Sequence, residues 1–251
     1  MLTRTFCHLP GIGLQTEQRL WDQGCLSWEM LQSDPSGYRI PKARRPELLD
    51  GVARSFDALS RGDAAYFAEA LPADLHWRVW PELRGKTVYL DIETDGGRTG
   101  SAITTVGLYD GREFRCLIRD RDLNQLPDVL GQYGVVVSFF GAGFDLPLIR
   151  RRFPGIAEPP IHLDLCFLLR GLGIRGGLKK IEQQMGIGRG SAGLSGLDAI
   201  YLWRRFRKYG DQAALDKLVA YNRDDVVNLE QLMEITYSML LPASFRVLPT
   251  S

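Results

Sequence analysis

No charge of one sign dominates this chain of 251 residues. Lys plus Arg is 31 and Asp plus Glu is 30, for a net charge of +1. That excludes a generalised basic coat, so a polyanion would have to be met by local patches. Long apolar runs are also missing. The longest, around Val135 to Phe144, is far too short to span a bilayer. The first ten residues lack the apolar core of a secretion signal. Cysteine is sparse: Cys7, Cys25, Cys116 and Cys166 lie far apart with no Cys-x-x-Cys pair. That argues against a disulfide framework or a zinc site and fits unpaired thiols in a reducing compartment. The expectation is a cytoplasmic protein with no membrane partner. What is present is ordinary for a folded domain, with 45% hydrophobic and 24% charged residues. The length suits one large domain, or one domain with a small appendage.

Four stretches can be separated. Residues 1–33 read as short helices around the turn Leu9-Pro10-Gly11-Ile12-Gly13, closed by the breaker Asp34-Pro35-Ser36-Gly37. Residues 34–84 read as a helical connector. Leu48, Leu49, Val52, Phe56 and Leu59 form one helical face there, ahead of a Trp-rich segment bracketed by Pro72 and Pro81. Residues 85–240 change texture. Strands are expected at 87–92, 102–109, 113–118 and 135–140, with a turn at Asp110-Gly111. Helices are expected at 123–133, 144–153, 162–170 and 177–185, followed by long helical segments. Residues 241–251 read as a tail. A hairpin of strands, then strand–helix units, then helices is the order of a mixed sheet flanked by helices.

Three acidic signals carry the chemistry. Asp91 and Glu93 end a strand, and alternation puts both on one face. Two neighbouring carboxylates repel unless a hard cation such as Mg²⁺ or Mn²⁺ lies between them; otherwise they form a polar strand end. Asp145 follows the apolar strand and Gly141-Ala142-Gly143, where open sheets place their ligands. It is equally good helix-capping chemistry. Tyr221 and Asp225 stand four apart on a late helix and share a face, with Asp224 turned toward solvent or a basic partner.

Taken together and in this order, Asp-x-Glu, Phe-Asp and Tyr-x-x-x-Asp resemble the DnaQ-like (DEDD) 3′–5′ exonuclease superfamily in its tyrosine subclass. The likeness is closer to the ribonuclease-H-like domain of YprB-type bacterial proteins. It is carried by Val-Tyr-Leu-Asp-Ile-Glu-Thr, Gly-x-Gly-Phe-Asp-Leu-Pro-Leu-Ile, His-Leu-Asp-Leu, Gly-Leu-Lys-Lys-Ile-Glu and Tyr-Asn-x-x-Asp-Val, over about residues 85–240. The resemblance implies an α/β fold, a ribonuclease-H-like mixed sheet flanked by helices, here preceded by a small all-helical region. It implies that Asp91, Glu93, Asp145 and Asp225 hold two Mg²⁺ or Mn²⁺ ions and that Tyr221 orients the attacking water. It further implies hydrolysis of single-stranded DNA or RNA from 3′ ends. Two metals about 3.5–4 Å apart suit phosphodiester hydrolysis. One departure stands out: the family often has Phe-Asn-Gly before Phe-Asp, and here Phe140 takes the Asn position. The alternatives are a non-catalytic nucleic-acid-binding or partner-docking protein that keeps the fold, and a structure-specific endonuclease.

Other residues are candidates for support. Asp164 reads as a metal ligand, a neighbour of the ligands or a capping residue, and His162 as structural. The Leu9 to Gly13 turn resembles the hairpin of a helix-hairpin-helix motif, whose Gly11 and Gly13 amides would face a phosphate. Arg150, Lys179 and Arg204 stand in basic clusters able to meet a nucleic-acid backbone. The loop Gly186 to Gly196 lacks the Gly-Lys-Ser/Thr ending of a nucleotide-binding P-loop and reads as a loop near the substrate channel or a linker.

Overall fold

The computed structural model describes residues 1–97, 99, 102–190 and 193–244, excepting the side chains of 243 and 244. The chain forms two compact units, Met1–Arg84 with the end of the chain from Leu240, and Gly85–Met239.

The N-terminal unit is helical: α1 (Leu14–Asp22), α2 (Trp28–Ser33), α3 (Arg45–Arg61) and α4 (Ala64–Ala70), with short 3₁₀ turns between. Its centre is Trp28, which stacks on Phe67 and takes the edge of Phe56, while its indole N–H donates to the Thr5 carbonyl at 2.7 Å. A buried charge is held here too. Glu17 accepts from the amides of Phe6 and Cys7 and from Arg78 at 2.8 Å. With both oxygens engaged, the desolvation cost of that carboxylate is partly offset.

The second unit is built on five strands: β1 (Thr87–Thr94), β2 (Ile103–Tyr109), β3 (Phe114–Ile118), β4 (Val135–Ser138) and β5 (Ile161–Asp164), in the order β3-β2-β1-β4-β5. The Asp110-Gly111 turn joins β2 and β3 as an antiparallel pair, and β1 pairs β2 in the same sense. Helix α5 (Leu126–Leu130) and its flanking turn return the chain so that β4 runs parallel to β1. Helix α6 (Asp145–Arg152) does the same for β5 beside β4. The remaining helices are α7 (Leu165–Gly171), α8 (Leu178–Gln184), α9 (Gly196–Tyr209) and α10 (Gln212–Ser244). This is the mixed α/β, ribonuclease-H-like sheet flanked by helices that the sequence leads one to expect.

Period-2 alternation divides β1. Val88, Leu90 and Ile92 enter the main core with Val106, Val136, Leu146 and Ile149. Asp91 and Glu93 therefore stand on the opposite face. The expected helix over 162–170 is corrected. Residues 161–164 form β5, and the helix begins only at Leu165. Ile161 and Leu163 are buried while the backbone pairs with Val135–Ser138, and Asp164 caps the next helix through the Cys166 amide. The strand expected over 135–140 stops at Ser138, and the final helix runs on past 241 to Ser244. The remainder of the expected tail, and residues 191 and 192 of the glycine-rich loop, lie outside the described residues. No helix among the described residues is long and apolar enough to cross a membrane.

Candidate metal centre

The acidic face of β1 is completed by α10. Helix α10 can approach the sheet closely because Gly107 of β2, the register partner of Asp91, has no side chain. A Cβ there would fall 2.2 Å from the Asn222 side-chain oxygen and 2.7 Å from Val226. The fully buried Asn222 then donates its amide to Asp91 Oδ2 at 3.0 Å. One turn further, Asp225 faces the same carboxyls. Asp91, Glu93 and Asp225 each present an oxygen within 4.8 Å of the others.

Asp145 comes from a third element. It is the first residue of α6, buried, and its Oδ1 accepts from the Ile92 amide at 3.1 Å. It is thus tied to β1 between the two acidic positions, and is not the helix cap that its local sequence allows. All four carboxyls line one cavity of about 570 Å³, with Lys179 and Tyr221 also on its wall.

The electrostatics are those of four carboxyls gathered with too little positive charge to balance them. Burial, then repulsion from Asp225, Asp145 and Glu93, holds the Asp91 carboxyl well above the usual range. Burial, then repulsion from Asp225 and Asp145, pushes Glu93 up to about 8, and burial pushes Asp145 up to about 7. Asp225 is raised by burial despite the opposing pull of Arg189. Burial also raises Tyr221, followed by the fields of Asp225, Glu93 and Asp91, so its phenol stays protonated. Such a set repels itself when ionised and would be relieved by a divalent cation. An all-oxygen, anionic donor set from three elements fits Mg²⁺ or Mn²⁺.

Two cations touch this cluster. Lys179 of α8 lies 4.4 Å from the Tyr221 ring centre and donates to the Leu194 carbonyl. Arg189 spans Asp225 Oδ1 and Glu182 Oε2 with its two terminal nitrogens. Glu182 is fully buried, and its other oxygen accepts from Asn228 at 2.9 Å. Asn222, Glu182 and Arg189 were not singled out as site residues from sequence. Asn222 sits beside Tyr221 in the same motif, and Glu182 ends Lys-Lys-Ile-Glu. Arg189 has no local signal beyond its glycine-rich surroundings.

The supporting candidates separate. Asp164 does not line the cavity. Its carboxylate accepts from the amides of Phe140, Ala142 and Cys166 at 2.8–3.1 Å and so organises the turn ahead of Asp145. Phe140, in that turn, has a left-handed backbone (φ +62°), a conformation Asn tolerates far better than a bulky side chain. The Asp164 contacts hold it there, and its half-exposed ring forms part of the cavity wall. His162 bonds Ser138 Oγ at 2.7 Å, a structural role. Arg150 is paired with Glu158 through two bonds and is not on the cavity wall. Arg204 reaches the Asp95 carbonyl at 3.4 Å. Gly11 and Gly13 belong to the N-terminal unit, where Gly11 takes a left-handed turn (φ +66°) and Arg44 donates to the Pro10 and Gly11 carbonyls.

Comparison with known proteins agrees with this architecture. A family model for the RNase_H superfamily (RNase_H_2) matches residues 88–237. Among curated proteins and among solved structures nothing matches. The family match covers more than half of the sequence and takes in every strand of the sheet with the three elements that bear the carboxyls; the chain belongs to the RNase H superfamily.

Proposed function

We propose that the protein is a divalent-metal-dependent nuclease that hydrolyses phosphodiester bonds of single-stranded nucleic acid, removing nucleotides from 3′ ends. The observation that carries this reading is the convergence of Asp91, Glu93 and Asp225 within 4.8 Å in a cavity that Asp145 also lines. Membership of the RNase H superfamily supports the nuclease class.

Asp91, Glu93, Asp145 and Asp225 are the residues that would hold two Mg²⁺ or Mn²⁺ ions. Bound there, such ions supply an activated water and neutralise charge on the phosphoryl and leaving oxygens. The chain's own residues do the rest. Tyr221, protonated and one helical turn from Asp225, orients a water by donating or accepting a single hydrogen bond. Asn222 fixes the Asp91 carboxyl in one orientation. Lys179 brings positive charge to the cavity wall for a phosphate, and the exposed rings of Phe140 and Phe144 offer apolar walls for a terminal base.

Digestion of 3′-labelled and 5′-labelled single-stranded DNA and RNA with Mg²⁺ or Mn²⁺ tests the proposal. Stepwise loss from the 3′ end supports it. Cleavage of strands with blocked 3′ ends would instead indicate an endonuclease. Binding without cleavage under either metal would favour a non-catalytic nucleic-acid-binding protein, a reading to which the Arg189–Asp225 pair lends weight because it already neutralises one carboxyl.

A further inference from the structure

Helix α9 begins at the acidic cavity and leads away from it. Ser195 and Gly196, at its start, are on the cavity wall. Its capping box, Ser195 with Asp198, fixes where the helix starts. The buried face carries Ala199, Leu202 and Trp203, with Phe206 packed against them. The aromatic–basic run around residue 203 therefore divides. Trp203 and Phe206 are spent on the core, and Arg207 pairs with Asp120.

The opposite face is different in kind. Tyr201 is 61% exposed and Tyr209 70% exposed. Arg204, Arg205 and Lys208 stand between them at helical spacing, and all five residues line a groove of about 440 Å³ with Asp211. Asp211 is engaged by Arg205. Among the described residues neither Arg204 nor Lys208 has an acidic partner. Both rings keep most of their surface in water, although Lys208 lies 5.1 Å from the Tyr209 ring centre, and the groove between them keeps an excess of positive charge. From Gly196 to Tyr209 the helix rises about 20 Å.

We propose that this face of α9 is a binding track for the single strand upstream of the end held in the acidic cavity, with Tyr201 and Tyr209 stacking unpaired bases and Arg204 and Lys208 meeting the phosphates between them. Rings without a hydrogen-bonding edge pattern stack on any base, so the track is indifferent to sequence. The strand's charge matches the groove, and the start of α9 on the cavity wall gives it a direction. The inference rests on the nuclease reading only for what lies at the end of the track; the binding itself does not depend on cleavage.

The experiment is fluorescence anisotropy of the full chain in EDTA, so that no cleavage occurs. The probes are a labelled single-stranded oligonucleotide and an abasic strand of the same length. Tyr201→Ala with Tyr209→Ala should weaken the base-bearing strand by about 10- to 100-fold and leave the abasic strand nearly unchanged. Arg204→Gln with Lys208→Gln should weaken both strands alike and reduce the salt slope by about 1.4, two contacts at roughly 0.7 each. All four sites are on the solvent side of a helix, and unchanged melting checks that the fold survives. Equal affinity of the tyrosine variant and the wild type for the base-bearing strand overturns the track. So does a wild-type dimer that the tyrosine substitutions dissolve, which would make this face a protein contact. If the track fails while metal-dependent cleavage persists, the nuclease reading stands alone; if the wild type neither binds nor cleaves, both fall.

Discussion

Arg189 donates directly to Asp225, and through Asp225 a loop residue reaches into the acidic cluster. The guanidinium is held from behind by the buried Glu182, so it is a fixed positive charge and not a wandering side chain. A metal ion using Asp225 must share that carboxylate with it or displace it. Replacing Arg189 and Glu182 together by Gln avoids stranding the buried Glu182 charge and leaves the Asp225 carboxylate free for the ion. The double variant is expected to bind Mn²⁺ about 10-fold more tightly than the wild type, a difference of ~1.4 kcal/mol. Calorimetric titration measures it, and an unchanged or weaker affinity would show that Arg189 does not compete.

The raised carboxyls imply a trade between stability and chemistry. Asp91 is partly buried among three other acids, and desolvation together with their repulsion opposes its ionisation. Asp91→Asn removes that burden and keeps an acceptor for Asn222. Without metal, its melting point should rise, by the equivalent of about 1 kcal/mol or more. Its turnover should fall by orders of magnitude, because a shared ligand set fails as a unit. A variant that loses both stability and activity would count against the repulsion argument.

Tyr221 separates orientation from binding. Tyr221→Phe keeps the ring beneath Lys179 and removes one hydroxyl. Single-turnover hydrolysis should slow by roughly 10- to 1000-fold, the range for one polar contact in the transition state. Mn²⁺ affinity and melting should hardly move. Full rate in the Phe variant would leave Tyr221 as packing alone.

His8 gives the N-terminal unit an acid limit. Burial lowers its pKa from 6.5 to about 4, only partly opposed by the Thr5 backbone, and its Nε2 is bonded to Ser55 at 2.8 Å. In the folded state the ring stays neutral where the unfolded chain would take a proton. Stability is therefore full above pH 6.5 and is lost as the pH falls toward 4, by as much as roughly 3 kcal/mol. Chemical denaturation across that interval checks this, with His8→Gln expected to flatten the dependence.

The sequence was informative where the chemistry follows a period. Asp91 and Glu93 share a face because strands alternate, and Tyr221 shares one with Asp225 because helices return after four residues. Both rules survive folding because each strand or helix is rigid on its own. The mixed sheet was legible in the same way, from the order of apolar segments and turns. Strand β5 was not, since the apolar run Leu165-Cys166 to Leu169 continues directly from Ile161-His162-Leu163-Asp164 and hides the change of period. Arg189 was illegible because its partner lies 36 residues away, beyond the whole of α9. Phe140 was seen as a departure, yet its left-handed backbone is a property of the Asp164 contacts and not of its neighbours in sequence.

The missing side chain at Gly107 has a temporal consequence. Asn222 and Asp91 are 131 positions apart, and they meet only when α10 settles into the space that Gly107 leaves open. A chain still emerging from the ribosome can pair its strands and bury its core, yet it holds only three of the four carboxyls until the last helix docks. The full acidic set therefore exists only once α10 is in place, and no fragment ending before that helix possesses it.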